Sequence, residues 1–346
     1  MIRLILKDVF FNGVTIVRKS LFTILSATVM AFFSFGTAIF SFDDKLLEVI
    51  TKSKGDMHGK DLHGVNLSGA IFPKIDLSSA NLEGADLSGC QFLNGNFDRA
   101  VLRDAKMNKA NLSGCTMQNI VLQNADLRES NLTGAILIGA DLRMSILNGI
   151  KLDNVNLSGA VLYGADLTES SLNNVNLSNA DLMRVKLTKS NLKNVNMRNA
   201  DLSGAYIISS DCTNNDMTSV NLFGTDFRSS NLHMANLSNA KGYFADLRDS
   251  DLSEVKISKA DFRNSNMMRV NLTKSDLSQS DFRNSDLDQA NFTDASIIEV
   301  DFRGANLSRI NLHNAYVKNV KIDKKYQPLV IRQKMRFMFI EWYESK

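Results

Sequence analysis

The chain has 346 residues, 44% of them apolar, and a formal net charge of +3. At that length one globular core is strained, whereas a stack of repeats can extend without limit. Residues 1–55 carry seven Lys or Arg against four Asp or Glu and residues 324–346 carry six against two, which leaves 27 against 31 for the long middle and excludes strong electrostatic steering of that middle onto nucleic acid.

In chain order, residues 1–19 form a basic leader ending in Arg18 and Lys19. Residues 20–42 then carry no charge across 23 positions, a length that spans a bilayer as a helix. The basic flank favours a single-pass membrane protein with its N-terminus in the cytoplasm. A buried hydrophobic helix covering the first coil of the fold that follows and a cleaved signal segment are the alternatives. Residues 43–57 offer Ser41 or Asp43 as an N-cap and place Leu46, Leu47 and Ile50 on one helical face, the pattern of a short helical cap.

From residue 58 to residue 323 a period of five dominates. Every fifth position from Leu62 to Ile322, apart from Cys212 and Gly242, is Leu, Phe, Met, Ile or Val. Two residues before each stands usually Ala, Ser, Val or another small residue, as at Ala80, Ala85, Ala125, Ala140 and Ala165, and the residue between them is commonly Asp or Asn. Five fits neither the helical period nor extended strand alternation, so each unit must contain its own corner. The large and small residues point inward, the residue between them points outward, and the other two positions hold turn-forming and solvated types.

Stretches such as ANLEGADLSG at 80–89 and ADLSGA at 200–205 resemble the pentapeptide-repeat family. The resemblance implies an all-β solenoid, a right-handed quadrilateral β-helix with four units per coil. The sequence carries the matching period of twenty, with DFRNS at 261–265 and 281–285 and DFRGA at 301–305. About 13 coils at roughly 4.8 Å per strand give a rod of about 60 Å, flanked by the N-terminal hydrophobic helix and a C-terminal capping helix.

After Pro328, the apolar run LVIRQKMRFMFIEWYES reads as a helical cap over 324–346. Its Phe337, Phe339, Ile340, Trp342 and Tyr343 exceed what one small square end needs. Because family members dimerise through C-terminal segments, the resemblance also implies a homodimer here.

No nucleophile elbow, phosphate-binding glycine loop or zinc-protease motif occurs. The histidines His58, His63, His233 and His313 form no ligand set, and Cys90, Cys115 and Cys212 are too scattered for a disulfide framework. Catalysis, a cofactor and a metal are therefore not expected. Instead, residues twenty apart share an exterior column, and one column reads Tyr163, Met183, Ser203, Phe223, Tyr243, then Arg263, Arg283 and Arg303. The position two residues earlier holds Val101, Val121 and Val161, and Tyr206, Ile208 and Phe244 fall nearby. Apolar residues in slots that are usually polar mark a candidate protein contact. The Asp261, Asp281 and Asp301 that accompany the arginines favour mutual neutralisation over an anion strip. The weakened pattern around Ser209–Asn215 and Lys241–Phe244 leaves room for a local bulge.

The function expected from these features is a membrane-tethered, non-catalytic scaffold that binds an unidentified protein. By family resemblance, a secreted bacterial effector recruiting host factors at a membrane and a DNA mimic acting on topoisomerases are the alternatives; a cytoplasmic location accompanies them. The near-neutral middle argues against the DNA mimic.

Overall fold

The computed structural model describes residues 49–50 and 52–344. Its unit of construction is visible in Ala80 to Gly84. Ala80 and Leu82 point inward and are fully buried, while Asn81 between them is half-buried on the outer surface. The Leu82 amide donates to the Val101 carbonyl at 2.7 Å and the Val101 amide to the Ala80 carbonyl at 2.9 Å, which joins each turn of the solenoid to the next. The Ala85 amide then donates to the Leu82 carbonyl at 3.0 Å and closes the corner.

That corner requires a positive φ at its third residue. Gly84 supplies it at 66°, where no Cβ is strained. Most corners lack glycine, and Asn154, Asn174, Asn194 and Asn214 adopt the same conformation at 57–61°. Asn tolerates the left-handed region better than other side chains. Each of the last three also donates its amide to the preceding Asn at 3.2, 3.2 and 3.3 Å, forming a ladder down one edge.

Parallel bridges join each outward residue to the one twenty later, from Asp56 with Asp76 through Asp301 with Lys321. Four five-residue units thus make one turn, and the turns stack in register as sides of a square. The bridges run unbroken past Asp211 and Lys241, so the expected local bulge is absent. An exchange of side-chain volume explains the second of these places. Gly242 takes an inward position normally filled by Leu because the Phe262 ring occupies its space; a Cβ on Gly242 would lie 2.2 Å from Phe262 Cε1. Near Cys212, which is smaller than the usual Leu, the inward Asn215 takes an alanine position, and its Oδ1 accepts the Val195 amide at 2.8 Å.

The interior is a continuous apolar column with few polar interruptions. Phe262, Phe282 and Phe302 stack along it with centroids 5.8 and 5.5 Å apart. Where Ser170, Ser190 and Ser210 replace Ala, their hydroxyls donate to the Leu147, Leu167 and Leu187 carbonyls at 3.0, 2.8 and 2.6 Å, so these buried groups keep partners. Burial pushes the Cys90 and Cys115 thiols up to about 12 and raises Cys212 as well. All three side chains are buried, and the Cys90 and Cys115 Sγ atoms donate to the Leu67 and Phe92 carbonyls at 2.9 Å.

The ends differ from expectation. At the start, Val49, Ile50 and Lys52 are helical and Ile50 is fully buried; the leader 1–19, the apolar stretch 20–42 and positions 43–48 lie outside the described residues. Among the described residues, no helix is long and apolar enough to cross a membrane. The single-pass membrane placement is therefore corrected and withdrawn.

At the other end the helical cap over 324–346 is also corrected. One 3-10 turn, Lys324–Tyr326, and one helical turn, Gln327–Val330, are followed by a strand. Three strands, β1 (Ser296–Ile298), β2 (Tyr316–Asp323) and β3 (Phe337–Tyr343), form a parallel sheet in the order β1-β2-β3. β3 pairs from Tyr316 with Phe337 to Asp323 with Tyr343, with a register shift between Lys318 and Val320. The sequence FMFIEWY is aromatic-rich, which suits a half-buried strand, and the last open coil edge offers unpaired backbone groups that a helix would leave unsatisfied.

Candidate partner-binding face

The side of the square built on Leu162, Leu182, Leu202 and Leu222 carries the expected stripe. Phe223 and Tyr243 occupy the same outward slot on successive coils and stack with centroids 6.1 Å apart. Phe244, at the adjoining corner, meets both rings edge-on at 5.9 and 4.3 Å. Phe223 and Phe244 remain 50% and 53% exposed, so the cluster is formed yet open to solvent. Tyr163 and Met183 continue the column as half-buried residues.

The corner column beside this stripe is floored by Gly204 and Gly224. Tyr206, 49% exposed, begins the next side of the square just past Gly204 and is bridged to Asp226 on the following coil. Ile208 lies at the far end of that side, and the structure does not bring it to the stripe. Val161 stands on the same side as Tyr163, bridged to Asp141 and Asp181. Two apolar residues escaped sequence reasoning, Met144 at a corner and Ile146 beside it, both exposed. Met144 Sδ lies over Gly164, 2.6 Å from where a Cβ would stand. Met144 stands in the same twenty-residue corner column as Phe244, and that column carries the signal for it.

Farther along this side the column turns ionic. Arg263, Arg283 and Arg303 each close on the Asp two residues earlier, with Nη2 to Oδ2 at 2.6 Å. Arg263 and Arg283 also reach the next carboxylate of the ladder at 3.7 and 3.8 Å. The Arg263 hydrogen bond holds the Asp261 carboxyl below the usual carboxylate range. Asp and Arg thus neutralise one another along the stack, and no strip of free guanidinium groups is left. The junction between the two regions is itself a contact, since the Arg263 guanidinium lies over the Tyr243 ring at 5.5 Å. Arg184 lies similarly over Tyr163 at 5.9 Å.

The C-terminal residues divide by face. Ile340 and Trp342 pack on the core, and Tyr343 lies under the Arg303 guanidinium at 5.0 Å. Phe339 is 56% exposed, and Phe337 contributes its backbone to β3. Among the described residues, no group of three His, Cys, Asp or Glu side chains is placed to hold a metal ion. A cavity lined by Asn311, His313, Leu329 and Lys334 lies where the last coil meets the C-terminal turn.

A square rod of stacked five-residue units with an outward aromatic cluster defines a repeat solenoid of the right-handed quadrilateral β-helix class. The family model for pentapeptide repeats matches eight times, over residues 61–94, 80–119, 119–149, 150–188, 186–222, 205–241, 245–284 and 275–314. The chain belongs to the pentapeptide-repeat family.

Among solved structures it is 23% identical to HetL, a pentapeptide repeat protein involved in heterocyst differentiation regulation in the cyanobacterium Nostoc sp. strain PCC 7120, over 80% of this chain and 97% of that one, with a TM-score of 0.25. Rfr23 from the cyanobacterium Cyanothece 51142 is 24% identical over 39% and 97%, at a TM-score of 0.29. A trypsin-treated form of QnrB1, a plasmid-mediated fluoroquinolone resistance protein, is 17% identical over 57% and 95%, at 0.33. These likenesses assign no activity to this chain. No curated protein sequence matches it.

Proposed function

We propose that the protein is a non-catalytic scaffold that binds a protein partner on the side of the rod carrying Tyr163, Met183, Phe223, Tyr243 and Phe244, with Tyr206 at its border. The observation that carries this reading is the packed but solvent-open cluster of Phe223, Tyr243 and Phe244. Preassembled rings lose little further side-chain freedom on binding, which is why aromatic anchors dominate binding energetics. The paired Asp and Arg ladders beside it deprive the rod of the one-signed field that imitation of duplex DNA would require.

The test is capture of the partner from the native cells on the full chain and on a Phe223→Ser/Tyr243→Ser/Phe244→Ser variant. Capture by the wild type should be lost by the variant while circular dichroism shows the rod still folded, the lost ring contacts costing about 0.5–1.5 kcal/mol per pair. Undiminished capture by the variant would refute the contact face.

A second reading concerns self-association through the C-terminal segment. β3 is the outermost strand of its sheet, and Met338 and Phe339 beside that edge are exposed. Open strand edges invite pairing with another chain. Light scattering should find a dimer that a Met338→Lys/Phe339→Lys variant converts to monomer; a monomeric wild type at micromolar concentration sinks this reading.

A further inference from the structure

Next to the aromatic cluster, the side that carries it also holds two carboxylates without the Arg partner their equivalents have. Asp141, Asp261, Asp281 and Asp301 are each closed by the Arg two residues on, at 2.5–2.6 Å. At Asp181 and Asp201 the residue two on is Met183 and Ser203 instead. These two carboxylates are bridge partners on successive coils, and like charges directly opposite one another are destabilising.

Neither is closed by a cation, and only neutral groups donate to them. Asp181 Oδ1 accepts the Met183 amide at 3.0 Å, and its Oδ2 receives no hydrogen bond. Asp201 Oδ1 accepts the Ser203 amide and hydroxyl at 2.8 and 2.5 Å, and its Oδ2 accepts Asn221 Nδ2 at 3.1 Å. Among the described residues no Lys or Arg pairs with either carboxylate, whereas Asp261 and Asp281 share the Arg263 guanidinium.

The neighbouring rings show what fits. In this column Tyr163 and Tyr243 each carry a guanidinium over the ring face, from Arg184 and Arg263. Arg263 stands one coil from Tyr243 and binds Asp261. Two residues after Asp181 and Asp201, where Arg263 follows Asp261, stand Met183 and Ser203, and neither supplies a guanidinium.

We propose that the bound partner segment presents an arginine, whose guanidinium bridges Asp181 and Asp201 while an adjacent apolar side chain covers Phe223 and Phe244. The arrangement repeats, between two molecules, what Asp261, Arg263 and Asp281 make within this one. Arginine suits the place better than lysine because its planar fork can bind carboxylates bidentately and also lie against a ring. This inference rests on the reading of the aromatic cluster as the contact face.

The probe is a randomised peptide library displayed against the full chain, with binding then measured for synthetic copies of the enriched peptides. Three proteins are compared: wild type, Asp181→Asn/Asp201→Asn, and the triple Ser variant of Phe223, Tyr243 and Phe244. Asn already stands in the same slot at Asn221, so the first variant should keep its fold. We expect enriched peptides to hold Arg next to an apolar residue and to bind the Asn variant about tenfold more weakly or worse, the scale of a lost charge-assisted pair. Replacing the peptide's Arg by Lys should also weaken binding to the wild type. Enriched peptides that lack Arg, or that bind the Asn variant undiminished while losing the triple Ser variant, overturn the arginine inference and leave the contact face standing. Peptides indifferent to the triple Ser variant, or no enrichment at all, overturn both.

Discussion

Phe282→Ala is expected to lower the unfolding free energy of the C-terminal part of the rod by about 3–5 kcal/mol, the range for deleting a fully buried aromatic ring. Phe282 is completely buried and lies between Phe262 and Phe302 at 5.8 and 5.5 Å. The rings above and below are fixed to their own coils by backbone bonds, so the space cannot close without breaking the ladder. Each coil in a solenoid contacts only its neighbours, so damage should remain local. Hydrogen exchange should show lost protection in the coils around Phe262 to Phe302, with the amides near Leu102 to Leu142 unchanged. Urea unfolding should show a new early transition. A loss below about 1 kcal/mol would mean that the stacked rings do not hold these coils together.

Gly242→Leu is expected to destabilise the protein although it restores the residue that the repeat normally places there. The new Cβ would stand 2.2, 2.3 and 2.9 Å from three atoms of the Phe262 ring. Overpacking of this kind costs about 1–3 kcal/mol, and more where neither neighbour can move. Phe262→Leu alone should also destabilise, by leaving unfilled space. The combined Gly242→Leu/Phe262→Leu variant should recover much of the loss, because one coil regains the volume the other gives up and contacting residues are not additive. Urea denaturation of all four proteins measures the coupling. If the double variant is as unstable as the two single losses together, exchange of volume is the wrong account of Gly242.

The body of the fold was legible because its period is local and repeated. One inward Leu has little meaning by itself, but unbroken phase from Leu62 to Ile322 leaves few chain paths, and the twenty-residue echo of DFRNS gave the coil length. Gly242 looked like a weak point because a sequence read five residues at a time does not show that Phe262, twenty residues later, fills the same space. The C-terminal segment was misread for a related reason. Apolar residues after a proline fit a helix, and only the open edge left by Tyr316–Asp323 makes a strand of Phe337–Tyr343 the better solution. At the contact face, Phe223, Tyr243 and the nearby Phe244 could be read directly, whereas Met144, five coils away in the same corner column as Phe244, required the corner geometry.

The uniform corner has a consequence for how such a rod can change. Because each five-residue unit brings its own turn and satisfies the same inward positions, gaining or losing one unit leaves the packing rule intact but rotates everything after it by one side of the square. A single extra unit between Met183 and Phe223 would move Phe223 and Tyr243 to a different side from Tyr163 and Met183, with each of these residues still present. Four extra units would restore the alignment and only lengthen the rod. What is displayed on this surface therefore depends on phase as much as on composition, and two relatives with the same residues can present different faces.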